Sequence, residues 1–364
     1  MTHLVRRSDD SLDFRVYSDI EAIAASWNQL ALRQRAAPFL APGWYEIWNR
    51  VFGERDELKI FTLSRGGELA AIAPLRVHRG KFRSPTNWHT PGFDVLSEDE
   101  TVASELLNAI LEQEPYLLDL RFVSERGRAY AAMPGTAATR GLDLRRALLR
   151  SPIVRTEGDW DQYERGLSQN LRKDINRRLR RLNESGDVEL EVTSGGDRLE
   201  ELLAEGFAVE ASGWKGRDGT AIASHSNTLG FYSDLARWAD SRDELRLAFL
   251  RLDGRAIAFI FGLEAHGVHY ALKAGYLEDA SRFAPSKVQH HLLIERAFRT
   301  DLSSYSFLGA SDPYKVRWAN DWDELFALQI FSRRPRGLAH WAFERYCKPV
   351  ARRARNSISR RTRH

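Results

Sequence analysis

Two periodicities divide this chain: apolar positions at every second residue in short runs, and apolar stripes at helical spacing in longer ones. FRVYS (14–18) alternates as a strand, and residues 20–34 carry a helical stripe. APGWYEIWNRVF (41–52) predicts a second helix with aromatic anchors. LKIFTLSRGGELAAIAPLRV (58–77) predicts two strands joined at Gly66 and Gly67, because a glycine pair between apolar runs marks a hairpin turn. DETVASELLNAILEQ (99–113) reads as an amphipathic helix and YLLDLRFV (116–123) as a buried strand. A second pass in similar order begins near Arg165. In LSQNLRKDINRRLRRLNESG (167–186), Leu171, Ile175, Leu179 and Leu182 share one face, with Ser168 as N-cap and Gly186 as stop. VELEV (188–192) alternates, helices over 197–210 and 228–240 follow, and residues 245–276 hold three strands that turn at Asp253 and Gly254 and near His266 and Gly267. A helix (285–299), a strand (303–308), a short helix around Tyr314 and a strand (325–331) complete the second pass.

The two passes read as a diverged internal repeat. Shifted by 187 positions, residues 43–75 lie on residues 230–262 without a gap. Gly43, Tyr45, Arg50, Arg55, Asp56, Glu57, Leu58, Leu63, Gly67 and Ala71 all meet identical partners. Between the passes, residues 131–160 contain Pro134, Gly135, Gly141 and Pro152, and are expected to hold the last strand of the first half, LDLRRALL (142–149), and the crossing to the second. The expected organisation is an α/β chain with mixed sheets: an N-terminal half (1–150), a C-terminal half (151–334), and a basic helix and tail (335–364).

Composition narrows the class. With 43% hydrophobic and 11% aromatic residues in 364, the chain can bury a substantial core. A single cysteine, Cys347, excludes a disulfide framework and Cys-rich zinc sites. No apolar run approaches the roughly 20 residues of a membrane span, and the start lacks the apolar stretch of a secretory signal, so a cytoplasmic enzyme is expected. Residues 345–364 hold eight cations and no acid, so the net +4 leaves the preceding 344 residues at −4. The high overall pI is therefore a property of the tail, and nucleic acid is not the expected partner of the body. The tail is either a solubilising end or an attraction to an anionic membrane surface, which would place the enzyme at the periphery of the inner membrane.

Several chemistries find no motif. Glycine-rich dinucleotide and P-loop signatures are missing, as is the Gly-x-Ser-x-Gly elbow. His266 with His269 and His290 with His291 are the close histidine pairs; neither has a carboxylate at metal-ligand spacing, so structural or surface roles are expected and no metal.

LSQNLRKDINRRLRRLNESGDVELEV, ASGWKGRDGTAI, LDGRAIAFIFG and FLGASDPYKVRWA are similar, in order and spacing, to the CelD-like acyltransferases of bacterial cellulose and exopolysaccharide loci. That family is a branch of the GNAT superfamily whose tandem layout resembles the Fem peptidyltransferases. The resemblance covers nearly the whole chain and is densest over 165–331. It implies two tandem GNAT-like folds, acetyl-CoA as acyl donor, and an amine or hydroxyl of a sugar or envelope-glycan precursor as acceptor. It also makes the arginine-rich helix the entry to the second GNAT unit. Its basic face then reads either as a solvated surface or as a contact for CoA phosphates or an anionic acceptor.

GNAT chemistry needs an anion clamp, donors for the thioester oxygen, a base, and an acid for the leaving thiolate. The resemblance places the clamp in LEDASRFAPSKVQHHLL (277–293). Pro285 suits the first helical position, so the amides of Ser286, Lys287 and Val288 are expected to face outward, with Arg282 and Lys287 adding charge. The sequence departs from the family here: Ala284-Pro285-Ser286 stands where relatives carry Ser-Pro-Gly. A capped helix without ligand is the alternative. Gly213, Gly216 and Gly219 form a loop presenting Trp214 and Lys215, which either covers a substrate or simply turns the chain. Glu210, at the end of the preceding helix, is the candidate base. Asp312 is expected to cap the helix begun by Pro313, leaving Tyr314 and Lys315 in its first turn. In the GNAT pattern a tyrosine after this strand protonates the leaving thiolate, which makes Tyr314 the candidate acid and Lys315 a substrate contact. Lys273, in an otherwise apolar strand, is a further candidate for substrate contact. The N-terminal half shows no clamp and reads as one wall of an acceptor cleft, with Trp88, His89 and Asp94 as acceptor contacts or structural residues. Two other readings stay open: a Fem-like transferase taking aminoacyl groups from charged tRNA, and a non-catalytic partner of a polysaccharide synthase.

Overall fold

The computed structural model describes residues 11–53, 56–212, 217, 219–300 and 302–348. Contacts divide the chain into two compact units. The first gathers the described residues up to Tyr45, Gly53–Leu148, and those from Leu325 on; the second gathers Glu46–Phe52 and Leu149–Glu324.

In the first unit, strands run in the order β1 (Leu12–Tyr17), β2 (Glu57–Arg65), β3 (Glu68–His78), β4 (Lys81–Arg83), β6 (Leu117–Ser124) and β13 (Asp321–Phe331), with β5 (Leu96–Ser97) also on β3. Helix α1 (Ala24–Arg33) buries Trp27, Leu30 and Ala31. Helix α2 (Pro42–Phe52) follows it, and α3 (Glu100–Glu112) buries Val102, Ala103, Leu106, Leu107 and Ile110. Helix α4 (Arg128–Arg140) was not expected, since Pro134 and Gly135 read as a linker. Its N-terminal amides are capped from outside the helix, as described below.

In the second unit the order is β7 (Leu142–Arg155), β12 (Ser304–Ser306), β11 (Val268–Tyr276), β10 (Arg255–Ala265), β9 (Leu245–Leu252) and β8 (Val188–Thr193). Helices α5 (Trp160–Gly166) and α6 (Gln169–Asn183) lead in, and α7 (Leu199–Ala211) and α8 (Ser226–Asp240) precede the β9–β10 hairpin. Helix α9 (Pro285–Arg299) joins β11 to β12, and α10 (Pro313–Val316) follows; α11 (Pro335–Ala342) belongs to the first unit. Helix α6 crowds like charges, but buries Leu171, Ile175 and Leu182. Each such burial contributes roughly 1.5–3 kcal/mol, against a few tenths for each repelling pair, so packing decides the helix.

One expected closing strand is exchanged. Residues 325–331, expected to finish the second half, pair antiparallel with β6. The strand expected to close the first half stays in the first unit as far as Leu148, and its continuation, Ile153, Val154 and Arg155, pairs with β12. Apolar alternation marks a buried strand but carries nothing about its neighbour, which is why the partner was misassigned.

The repeat is visible in hydrogen-bond register. In β2–β3, Leu63 faces Ala71 and Ser64 faces Leu69, leaving Ala70 as a bulge. In β9–β10, Leu250 faces Ala258 and Arg251 faces Ala256, leaving Ile257 as a bulge. Every one of these positions is related by the same shift of 187 found in the sequence.

Candidate functional site

In the second unit, β11 and β12 run parallel and pair at Val268 with Ser304, His269 with Tyr305 and Tyr270 with Ser306. The ladder stops there. β11 continues to Tyr276 against β10, while the chain after β12 turns at Leu308 and Gly309, with φ of 52° and 63°. Parallel strands that part at their carboxyl ends open a crevice, a favoured place for ligands. Leu308 is a bulky residue in a left-handed conformation, which costs about 1–2 kcal/mol. Lys315 Nζ donates to the Leu308 carbonyl at 3.2 Å and meets Asp312 at 3.3 Å. Lys315 thus holds this turn, a framework contact that the sequence alone did not show. Asp312 sits at the N-cap of α10 but makes no side-chain cap bond; its carboxylate is drawn to Lys315 instead.

Helix α9 starts at Ala284, which has φ 50° and ψ 55° and no side-chain cap. The expectation of three outward amides is corrected: Lys287 and Val288 both donate to the Ala284 carbonyl, at 2.9 and 3.2 Å. Of the three, only the Ser286 amide stands outside this pair. The Val288 side chain is in the core, and the exposed Arg282 guanidinium stacks on Phe283 at 4.6 Å. Lys287 Nζ reaches Asp174 on α6 at 2.6 Å, and Asp174 also holds Arg177 and Arg178. Against desolvation, which would raise it, the hydrogen bonds from Lys287 and Arg177 bring Asp174 down to about 2. Arg178 donates to the Arg282 carbonyl at 2.7 Å. The arginine-rich helix is therefore docked on the start of α9, and gathers cations around it.

On the α9 face of the crevice lies a buried polar chain that the histidine count had set aside. His290 Nδ1 is 2.8 Å from the Tyr305 hydroxyl, and the His269 ring stacks on Tyr305 at 4.8 Å. His269 Nδ1 lies 2.9 Å from Glu264, which Arg246 and Arg296 also hold. His269, His290 and His291 are all buried, so a surface role is excluded for them. Burial pushes His290 down to about 3 and His291 to about 4. A signal existed in the sequence: Ser286 and His290 are one helical turn apart, so they share a face of α9. The His290 ring lies 6.0 Å from that of Tyr314. Tyr314 keeps 39% of its surface in solvent, so only part of the phenol is desolvated. That part, with the Asp312 carboxylate nearby, raises it to about 12.

On the opposite face, Glu210 ends α7 fully buried and accepts the Ile222 amide at 2.8 Å. Glycine is required opposite it: a Cβ at Gly275 would fall 2.4 Å from Glu210 Cα. Tyr232 is buried, and burial first and the Glu210 charge second raise its phenol far above its ordinary value. Lys273 Nζ lies 5.5 Å from the Tyr232 ring centre. Buried Glu210 and Tyr232 and half-buried Lys273 thus belong to one group, of which the sequence reading had two members. Trp214 and Lys215 lie outside the described residues. Among the described residues, no three side chains capable of holding a metal lie together.

An open cleft of about 430 Å³ lies elsewhere in this unit, lined by residues that include Tyr163, Ser168, Phe298, Arg317, Trp318 and Asn320. None of the expected site residues lines it. In the first unit, Asp94 accepts the amides of Val95, Arg128 and Ala129 and so caps α4. Burial outweighs those three bonds and raises Asp94 to about 6. This is a structural role. Trp88 is 89% exposed and its ring lies 6.5 Å from that of Phe122.

Residues 169–316 match the family model of the acetyltransferase (GNAT) domain. The chain is similar to the C-terminal domain of a protein assigned as a lysylphosphatidylglycerol synthetase from Agrobacterium fabrum, at 12% identity and a TM-score of 0.58, over 89% of this chain and 95% of that one. It is similar to FemX at 13% identity and a TM-score of 0.57, over 86% of this chain and 96% of that one. A protein of unknown function from Bacteroides thetaiotaomicron gives 13% identity and a TM-score of 0.54, over 88% of this chain and 100% of that one. At such identities the likeness carries the fold alone. No curated protein matches the chain. The chain is an α/β protein of two tandem GNAT-like halves, and residues 169–316 of the second match the GNAT acetyltransferase domain.

Proposed function

We propose that this protein transfers an acyl group, acetyl in the first instance, from acyl-CoA to an amine or hydroxyl of a sugar or envelope-glycan precursor, as the CelD-like resemblance implies. The observation that carries this reading is the parting of β11 and β12 beside a helix start that has no side-chain cap and is ringed by Arg178, Arg282 and Lys287. The Ser286 amide and these cations would receive the donor's phosphates. Glu210 would take the proton of the attacking amine or hydroxyl as the new bond to the carbonyl carbon forms. Tyr314 would give its proton to the sulfur as the thioester bond breaks. Lys273 would face the acceptor. The basic residues from Arg345 on would hold the enzyme near an anionic membrane surface, at about 1 kcal/mol per cation; no helix of the described residues is long and apolar enough to cross a membrane.

Calorimetric titration of acetyl-CoA and free CoA tests the donor. Ser286→Pro removes the uncommitted amide and should weaken both by about tenfold, the worth of one hydrogen bond to a charged group, while Ser286→Ala should bind as the wild type does. An absence of saturable binding at millimolar donor would sink the reading.

A second reading has its own support. Lys173, Arg177, Arg180 and Arg181 are exposed along α6, and the fold is similar to that of FemX. An aminoacyl-tRNA donor would then track this face. Binding of charged tRNA that weakens steeply with salt, together with indifference to CoA, would favour it.

A further inference from the structure

We propose that Tyr305 and His290 form a positioning pair for Tyr314: the Tyr305 hydroxyl fixes the tautomer of His290, and the His290 Nε2–H supports the Tyr314 oxygen as that phenol yields its proton to the leaving thiolate. This rests on the acyltransferase reading above and deepens it.

The tautomer follows from hydrogen-bond bookkeeping. Tyr305 is fully buried, and His290 Nδ1, at 2.8 Å, is the one hydrogen-bond partner of its hydroxyl among the described residues. A buried hydroxyl proton needs an acceptor, so Tyr305 donates to Nδ1, and the ring proton sits on Nε2. His290 Nε2 has no partner among the described residues, although the residue is 2% exposed. A donor left open in a buried place is a group waiting for an acceptor. The ring lies against Phe307 at 5.0 Å and Tyr314 at 6.0 Å, one turn beyond the start of α9.

The chemistry asks for such a donor. Tyr314, at about 12, must protonate a thiolate whose conjugate acid ionises near pH ~8.5, an uphill transfer unless the phenolate is stabilised. The His290 ring lies 6.0 Å from the Tyr314 ring, and Lys315 Nζ lies 5.9 Å from its centre. In the step, the carbon–sulfur bond breaks, sulfur takes the Tyr314 proton, and the phenolate is held by the neutral imidazole and the ammonium. It recovers its proton from the nucleophile, through solvent, in the next half-cycle. The groups facing the pair are Tyr305 from β12, His269 from β11, and Asp312 and Lys315 from the α10 turn.

The test compares His290→Phe, His290→Gln and Tyr305→Phe in the full chain, with CoA release from acetyl-CoA, water acting as the acceptor, and acetyl-CoA affinity measured in parallel. His290→Phe should lower kcat at least about tenfold, the worth of one hydrogen bond to a charged oxygen, with unchanged donor affinity. It should also move the alkaline limb of the pH profile upward, because a less supported phenolate forms at higher pH. His290→Gln, which restores an N–H, should recover most of the rate, and Tyr305→Phe should show an intermediate loss. Nitrogen NMR of the wild type should show His290 neutral and protonated on Nε2 at pH 6. Equal losses in the Phe and Gln variants, an unmoved alkaline limb, or an Nδ1–H tautomer would overturn the pair while leaving the acyltransferase reading intact. If the wild type neither binds nor cleaves acetyl-CoA, the acyltransferase reading fails and the pair falls with it.

Discussion

The two halves share a hairpin down to the position of its bulge, yet they treat the helix between their parallel strands in opposite ways. In the first unit, β4 and β6 pair in parallel and the intervening α3 starts under Asp99, whose carboxylate accepts the Val102 amide at 2.8 Å. Glu100 adds an acid to that first turn. In the second, β11 and β12 enclose α9, whose start has neither a side-chain cap nor an acid in its first turn. A buried tyrosine recurs as well. Tyr45 and Tyr232 occupy equivalent positions under the repeat, and each feels a buried carboxylate, Asp94 or Glu210. Asp94 accepts three amides, two of them in the first turn of α4, whereas Glu210 stands at the end of α7 over the strand that leaves the crevice and accepts the Ile222 amide. A duplicated frame can keep its geometry while one copy caps its helix start with a side chain; the copy whose helix start has no such cap is the one that can meet an anion there.

The largest contrast between the halves should appear in acid. Asp94 in the first unit is raised to about 6 from 3.8, so the fold takes up a proton before the unfolded chain does. Its contribution is fully present below 3.8 and lost as pH rises through about 6. His290 and His291 run the other way, lowered from 6.5 to about 3 and about 4. Their contribution is full above 6.5 and lost as pH falls. Between pH ~6.5 and ~4 the first unit should therefore gain on the order of 2 kcal/mol, and the second, with two histidines, lose on the order of 5 kcal/mol. Amide exchange, corrected for intrinsic rates and read separately at α4 and α9, measures this. Parallel trends in the two helices would mean the buried groups do not control local stability.

Slightly smaller is the expected split in activity. Glu210→Gln should slow CoA release from acetyl-CoA about a hundredfold, as loss of a general base does, without altering donor affinity. Asp94→Asn should leave that rate alone and destabilise α4, because one amide donor would then face another. A rate loss from Asp94→Asn matching that of Glu210→Gln would remove the assignment of the chemistry to the second half.

Much of the frame was legible in the sequence because it rests on local patterns. The offset of 187 is obeyed by the bulge itself, and the α9 boundaries follow from Pro285 and the last periodic residues. The placement of β13 against β6 was not legible, since a pattern of apolar positions marks a buried strand but says nothing of its neighbours. Helix α4 was missed because Pro134 and Gly135 are local breakers, and here tertiary capping by Asp94 overrides them. At the site, Glu210, Lys273 and Tyr314 could be named from motif order, but the Tyr305–His290 bond joins side chains that only the sheet and α9 bring together. Asp312 was misread for a similar reason: proximity along the chain suggested a cap, while its carboxylate meets Lys315, which holds the left-handed turn at Leu308.

The smallest test exchanges the two helix starts. Ala284→Asp puts a carboxylate where the second half has none; aspartate tolerates the left-handed backbone there. It should weaken acetyl-CoA by about tenfold through repulsion of the phosphates, with stability changed by no more than about 1 kcal/mol. Asp99→Ala removes the carboxylate from the first half, and should cost about 1 kcal/mol of stability with donor affinity untouched. If Ala284→Asp binds donor as well as the wild type, the start of α9 is not where the phosphates rest. The cations that α6 brings there would then serve only to dock one helix on another, a role that Lys287 and Asp174 already perform without any ligand.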